Sequence, residues 1–431
     1  MEKKQAGMTL CVGSVSSRHT AASCTSSALL CAVLELGLDR SLLSVDQPFV
    51  QNLPGTQWMY DLFVDQKASF GRSGAFCACL PRHTVCGARS AGSEAARLLA
   101  YASLSSTRYL WEEPMRSIDI HAHLTPQCFI RAMQTGQEWH GIKPGSVRIA
   151  PRAVWTPEQR IADMNSLGVD VHVVSTGAGF YYYDRDAQTV AAMHRECNDE
   201  VRQMTMDYPE RFKGFAQIPM QDVKAAIAEL DRSVNQLGLV GAMIDDKVNG
   251  RTYDDPEFLP LWQAAEQLGA LMFIHQGGET LVRQRSGRYH LPNTIGNLVD
   301  RAVTFASFVF GGVMDACPNL KICLAHGGGY TCFGIGRMDR GWQVRSEARV
   351  HIQRPPSTYL NKFYYDCLTH SEAALRMLID TVGIDKVIFG TDWPADMAID
   401  WPVAWVLGLK SLTQEEKELI LWKNLERLLG I

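Results

Sequence analysis

The sequence predicts a closed, parallel (β/α)₈ barrel of the TIM type over residues 116–431, preceded by an irregular N-terminal extension over 1–115. Three observations carry that expectation. Short apolar, β-branched runs recur eight times after residue 116. Helical patterns separate them. No glycine-rich phosphate turn follows the first run, as an open doubly wound sheet would more often show.

The runs fall at 117–121, 170–175, 214–218, 240–244, 271–275, 321–326, 363–367 and 386–392. Each is too continuously apolar for a strand with one face in water, so burial on both faces is expected. The intervening helices have readable ends. Thr156-Pro157-Glu158 supplies a capping side chain, a proline at the first helical position and an early carboxylate, and Gly168 closes that helix. Asp222 and Gly238 bracket another helix in the same manner.

The extension is rich in Ser, Ala and Cys and holds no sustained period. Within it, the stretch from Gly37-Leu38-Asp39-Arg40 to Asp46-Gln47-Pro48 parallels the one from Gly383-Ile384-Asp385-Lys386 to Asp392-Trp393-Pro394. Both read as a basic-ended strand closing on Asp-x-Pro. Residues 33–62 are therefore read as the tail of a truncated, related barrel, with chance similarity as the rival. Cys77, Cys79, His83 and Cys86 have a spacing that could suit zinc, but they lack paired Cys-x-x-Cys knuckles, and no zinc is expected there.

A chain of 431 residues, 46% hydrophobic, can bury a large core. Its formal net charge of −4, with no long basic run, offers no footprint for nucleic acid or an anionic membrane. The expected partners are a small molecule and further copies of the chain. Twelve Cys lack the dense, even spacing of a disulfide framework, which fits reduced thiols in the cytoplasm. No apolar stretch reaches the roughly eighteen residues that a membrane span needs. The nearest signal-like run, 28–34, is stopped by Glu35, so secretion is not expected.

In such a barrel the working side chains stand at the carboxyl ends of the strands. The first run ends in His121-Ala122-His123, and strand alternation puts both imidazoles on one side. His275 ends the fifth run, His326 the sixth and Asp392 the eighth. Imidazole with carboxylate suits zinc, manganese, cobalt or iron, and a mixed set with an open position suits a catalytic ion. A lone His-x-His is a weak signal; its conjunction with three further strand ends on the same face is a strong one. His140, His172, His194, His290, His351 and His370 do not share that pattern and are read as solvated or core residues.

The fourth run continues into Asp245-Asp246 and places Lys247 late. A bridging lysine for a second ion is therefore not expected. One divalent ion is, zinc first and manganese as the alternative. That leaves His326 free to act as a general acid or base beside the ion. Gly327-Gly328-Gly329 would let backbone approach the site closely.

His121-Ala122-His123, Phe310-Gly311-Gly312-Val313, Ala325-His326-Gly327-Gly328-Gly329, Gly336-Arg337 and Gly390-Thr391-Asp392-Trp393-Pro394 together resemble the amidohydrolase-related family that contains aminocarboxymuconate-semialdehyde decarboxylase. The resemblance implies metal ligation by His121, His123, His275 and Asp392, and an acid–base role for His326 with Asp392. It implies substrate-carboxylate binding by Arg337, presented across a homodimer interface, and by Arg152, whose spacing to Trp155 departs from the pattern by one residue. Another departure follows strand five, where His275-Gln276-Gly277-Gly278-Glu279-Thr280 replaces a bulkier loop and points to a different or larger substrate. Tyr181-Tyr182-Tyr183 could stack on a substrate ring or serve as packing.

The expected reaction is non-oxidative decarboxylation of a small aromatic or muconate-like acid. Hydrolysis of an ester, lactone, amide or C–C bond is the alternative. An inactive barrel that binds a partner is the third possibility.

Overall fold

The computed structural model describes residues 115–146 and 151–431. The readings made for residues 33–62 and for Cys77, Cys79, His83 and Cys86 lie outside the described residues. Eight parallel strands hydrogen-bond in chain order: β1 Ile118–Leu124, β2 Val171–Thr176, β3 Phe212–Ala216, β4 Gly241–Ile244, β5 Leu271–Ile274, β6 Lys321–Leu324, β7 Phe363–Asp366 and β8 Val387–Ile388. Beyond β8 the chain keeps bonding to β1, through Ile120 N–H to the Phe389 carbonyl at 3.0 Å, Asp392 N–H to His121 at 2.8 Å and His123 N–H to Trp393 at 2.6 Å. These bonds join the last strand to the first and complete a (β/α)₈ barrel.

The helices that cover it are α1 Gln127–Gln134, α2 Pro157–Leu167, α3 Ala187–Asp207, α4 Val223–Asn235, α5 Leu259–Leu268, α6 Asn297–Phe310, α7 Thr331–Val344, α8 Glu372–Val382 and α9 Pro402–Gly408. Thr156 caps α2 in a full capping box with Gln159, and Gly168 ends it in the left-handed conformation. Asp222 caps α4 through the Ala225 N–H.

All eight expected strands are present, displaced in two places. β3 starts and stops two residues early because Phe212 pairs with His172. β8 shrinks to two residues because the backbone after Ile388 turns into the site loop.

Alternation sorts the side chains. Phe215 of β3 and Phe273 of β5 stack inside the barrel at 5.6 Å, and His121 stands edge-on to Phe273 at 5.0 Å. The aromatic pair is thus the floor on which the polar mouth rests. Ile118, Ile120 and Ala122, on the other parity of β1, are fully buried in the core. Tyr181 and Tyr183 are buried and stack on each other at 5.2 Å, with the Tyr181 hydroxyl donating to the His275 carbonyl at 2.8 Å. Of the two readings of the tyrosine cluster, packing is the one realised.

Gly241 at the start of β4 has φ +155, and a Cβ there would stand 1.9 Å from the Leu271 carbonyl oxygen and 2.6 Å from its nitrogen. Backbone on a central strand cannot yield cheaply. Gly241→Ala is expected to lower unfolding free energy by about 3 kcal/mol or more, read as a fall in the urea midpoint.

Candidate metal centre

β1 carries three inward side chains, Asp119, His121 and His123, and each has a distinct task. Asp119 is fully buried. Its Oδ1 accepts from the His121 N–H at 2.8 Å and the Thr391 N–H at 3.1 Å, and its Oδ2 accepts from the Thr391 hydroxyl at 2.7 Å. Burial raises its pKa to about 6 against these bonds. It ties β1 to the loop that bears Asp392.

His121 and His123 turn their Nε2 atoms toward each other at 3.1 Å, and both approach Asp392 Oδ1, at 3.2 and 3.1 Å. His275 Nε2 lies 3.9 Å from the same oxygen and has no hydrogen-bond partner despite burial. His326 Nε2 instead faces the other carboxylate oxygen, Oδ2, at 3.7 Å. Donor atoms of His121, His275, His326 and Asp392 all lie within 4.8 Å of one another. The five predicted strand-end residues are therefore brought together.

This arrangement fits a cation. Ligands about 2.1 Å from an ion, at angles of about 90–109°, stand about 3.0–3.4 Å apart, as the His121, His123 and Asp392 atoms do. Two imidazole lone pairs facing each other at 3.1 Å, and a third buried without a partner, need a positive centre between them.

The same demand for positive charge shows in the titratable groups. Burial opposes a charged His121, but Asp392 and Asp366 outweigh it and raise His121 to about 10. Burial likewise works against an ionised Asp392, yet His121, His123 and His326 hold it well below the usual carboxylate range. Burial depresses His123, His275 and His326, which stay neutral.

The tautomers are set from behind. His121 Nδ1–H donates to Asp366 Oδ2 at 2.7 Å, His123 Nδ1 meets the Ser175 hydroxyl at 2.9 Å, and His275 Nδ1–H donates to the Gln276 carbonyl at 3.0 Å. Each leaves Nε2 free to ligate. Asp366 also accepts from the Gly327 N–H at 2.8 Å, fixing the loop that carries His326. Buried Arg160 of α2 donates to the His123 carbonyl and stacks 4.0 Å from the Trp393 ring. Arg301 of α6 donates to the Ile274 carbonyl at 2.9 Å and Asp246 at 2.7 Å, bracing the strand end that presents His275. His326 and Asp392 both hold left-handed backbone, at φ 56 and φ 66, a conformation that costs non-glycine residues about 1–3 kcal/mol.

The sequence reading missed Asp366, Ser175, Asp119 and the two buried arginines. Asp366 left a signal, being the only carboxylate in the otherwise apolar seventh run. His172, read as a core histidine, is fully buried 3.5 Å from Asp119. Arg152 is exposed, with its guanidinium 5.7 Å from the Trp155 ring, and Arg337 is exposed on α7. Neither is among the described residues that line the cavity on His326 and Asp392. Lys247 lies 3.7 Å from Asp300 and takes no part in the cluster.

A cavity of about 810 Å³ opens on His326 and Asp392, lined chiefly by apolar side chains such as Leu298, Leu378 and Met397. His370, which the sequence reading set aside, shares this lining.

A barrel whose strand ends converge four imidazoles and a carboxylate on one point is a metal-dependent enzyme scaffold. Residues 118–431 match the amidohydrolase family, and the chain belongs to it. It is 35% identical over 278 residues to 2-amino-3-carboxymuconate-6-semialdehyde decarboxylase of Dictyostelium discoideum, covering 64% of this chain and 77% of that one. It is 29% identical to gamma-resorcylate decarboxylase of Rhizobium radiobacter, covering 62% and 87%. The crystal structure of 5-carboxyvanillate decarboxylase from Sphingomonas paucimobilis superposes with a TM-score of 0.65 at 26% identity, over 74% of this chain and 99% of the other.

An ion entering the site must displace the proton that His121 shares with Asp392. Because that proton is held up to about pH 10, metal affinity is expected to rise about tenfold per pH unit between about pH 6 and 8. Calorimetry in buffers of different ionisation enthalpy should show about one proton released per ion. Asp366→Asn, which removes the acceptor behind His121, is expected to weaken metal binding about 10–100-fold with the fold intact.

Proposed function

We propose that the chain is a metal-dependent, non-oxidative decarboxylase of small aromatic carboxylic acids. The observation that carries this reading is the division of the Asp392 carboxylate. Oδ1 is the oxygen nearest to His121, His123 and His275, while Oδ2 is the one nearest to His326. The first group reads as the ligand set and the second as a proton-transfer pair. The bound ion, zinc by preference for a nitrogen-rich set and manganese as the alternative, polarises oxygens and lowers the pKa of water.

The chain's own residues supply the rest. The leaving carboxylate cannot depart until the carbon that bears it can accept the bond's electrons, which requires a proton at that carbon. His326, kept neutral by burial, takes a proton from solvent water before the substrate fills the cavity and delivers it from Nε2 to that carbon, returning to the neutral form, while Asp392 Oδ2 steadies the transient imidazolium. As the C–C bond breaks, CO₂ leaves and its electron pair returns to the ring. The largely apolar cavity walls exclude water and disfavour the ionised ground state relative to neutral CO₂.

Arg337 is proposed to hold the leaving carboxylate in a homodimer, supplied by a second copy. Phe333 on the same helix is 80% exposed, an apolar side chain beside Arg337 that a dimer would cover. Arg152, over Trp155 on the site's flank, is proposed as an auxiliary carboxylate contact. The six described cysteines are unbridged and buried, which supports a cytoplasmic setting, and no helix among the described residues is long and apolar enough to cross a membrane.

Metal-loaded protein incubated with hydroxylated benzoates and muconate-like acids is expected to release CO₂. His326→Ala should lower kcat by about 10²–10⁴-fold while retaining the ion. Product carrying oxygen from labelled water, with no CO₂ evolved, would overturn the reading in favour of hydrolysis.

A further inference from the structure

A second cavity, of about 750 Å³, lies at the opposite end of the barrel, where β6, β7 and β8 begin. Lys321, Lys362 and Lys386 line it, and Asp385 is the one carboxylate among its described lining residues. In barrels of this type chemistry belongs to the carboxyl ends of the strands, so the metal centre gives these lysines no task. Lys321 and His326 stand toward opposite ends of β6, and at about 3.3 Å per residue the cavity is roughly 15 Å from the metal centre.

The strand register concentrates the charge. Ile322 pairs with Phe363 and Tyr365 with Val387. One residue earlier on each strand, Lys321 falls beside Lys362 and Tyr364 beside Lys386, and the Lys386 Nζ sits 4.8 Å from the centre of the Tyr364 ring. Like charges side by side on neighbouring strands repel, and a carboxylate between them is the ordinary relief. None is supplied here: the lysine ion pairs among the described residues are those of Lys247, Lys386 and Lys423. Lys386 meets the exposed Asp385 at 3.3 Å. Lys321, half-buried, donates to the Leu428 carbonyl at 3.3 Å, at the end of the last helix, Asn424–Leu429. Three ammonium groups thus share one carboxylate, and two positive charges are left facing the cavity.

The lining also narrows the ligand. It holds no arginine among the described residues, so a planar carboxylate would find no bidentate fork. Ammonium groups act as point charges, which suits a tetrahedral anion with several equivalent oxygens and up to two negative charges. The volume falls within the range of about 300–1,000 Å³ typical of small-molecule sites, which leaves room for a body beyond the anion. Leu320 and Val382, both buried, and the half-buried Tyr364 give that body an apolar and aromatic surface.

We propose that this cavity binds a phosphoryl group carried on a small ring-bearing molecule, of which a nucleoside monophosphate is the simplest kind. Lys321 and Lys362 bind the phosphoryl oxygens, and Tyr364 with Leu320 and Val382 receives the ring.

Calorimetric titration of the metal-loaded, full-length protein with adenosine 5′-monophosphate tests this, with adenosine and succinate as comparators. The wild type is expected to bind one nucleotide per chain, about tenfold or more tighter than either comparator and more weakly as salt rises. Lys362 is exposed, so replacing it spares the core. Lys362→Gln should weaken binding about threefold or more and Lys362→Glu about tenfold or more, with metal content unchanged. Tyr364→Ala should weaken the nucleotide while leaving the affinity for inorganic phosphate in place.

The metal centre also attracts anions, and manganese separates the two sites. A phosphoryl group roughly 15 Å from the ion keeps a phosphorus resonance far sharper than one coordinated to it. Absence of saturable nucleotide binding would overturn the proposal, as would adenosine or succinate binding equally well. So would an affinity unmoved by both Lys362 variants, or a phosphorus line broadened as by direct coordination to manganese.

Discussion

One carboxylate among four imidazoles governs the mouth of this barrel. Among the described residues, Asp392 is the one anion that approaches His121, His123, His275 and His326 together. Asp366, bonded to His121 from behind, adds a second buried carboxylate, so the imidazoles gather around net negative charge that favours a proton or a metal ion among them. The shifted His121 and Asp392 pKa values are the two faces of that constraint. A site that keeps a proton at about pH 10 while its neighbouring imidazoles stay neutral is poised to exchange the proton for a metal ion.

The bonds that close the barrel are also the bonds that build the site. Asp392 N–H donates to the His121 carbonyl, and His123 N–H donates to the Trp393 carbonyl, so first and last strands cannot part without separating His121, His123 and Asp392. Asp119 doubles this link from inside through Thr391. Asp366 does the same work between β7 and β1 while anchoring the His326 loop. Catalytic geometry and fold stability therefore rest on the same few contacts. This accounts for left-handed backbone at His326 and Asp392: the surrounding hydrogen bonds over-determine a conformation that neither residue would choose alone.

Much of this was legible in the text of the chain. Strand identity came through because a strand buried on both faces must be continuously apolar, and the five strand-end residues followed from alternation and from the rule that barrel chemistry sits at carboxyl ends. The supporting residues were harder to see. Arg160 and Arg301 look in sequence like ordinary helix-surface cations, and only the fold shows them buried under Trp393 and behind His275. Asp119 and Asp366 sit in apolar strands where a carboxylate is costly, a hint that could have been followed. Arg337 and Arg152 illustrate the opposite case, residues singled out by resemblance that one chain by itself leaves at the surface.

The proposed ion sits between Oδ1 of Asp392 and three imidazoles. X-ray absorption at the metal edge of the loaded, full-length protein tests this most directly. The account predicts one ion per chain, with about three imidazole nitrogens and one or two oxygens near 2.0–2.2 Å and no sulfur. An ion ligated by sulfur, a shell of oxygens without imidazole, or a protein that binds no ion at all would contradict it.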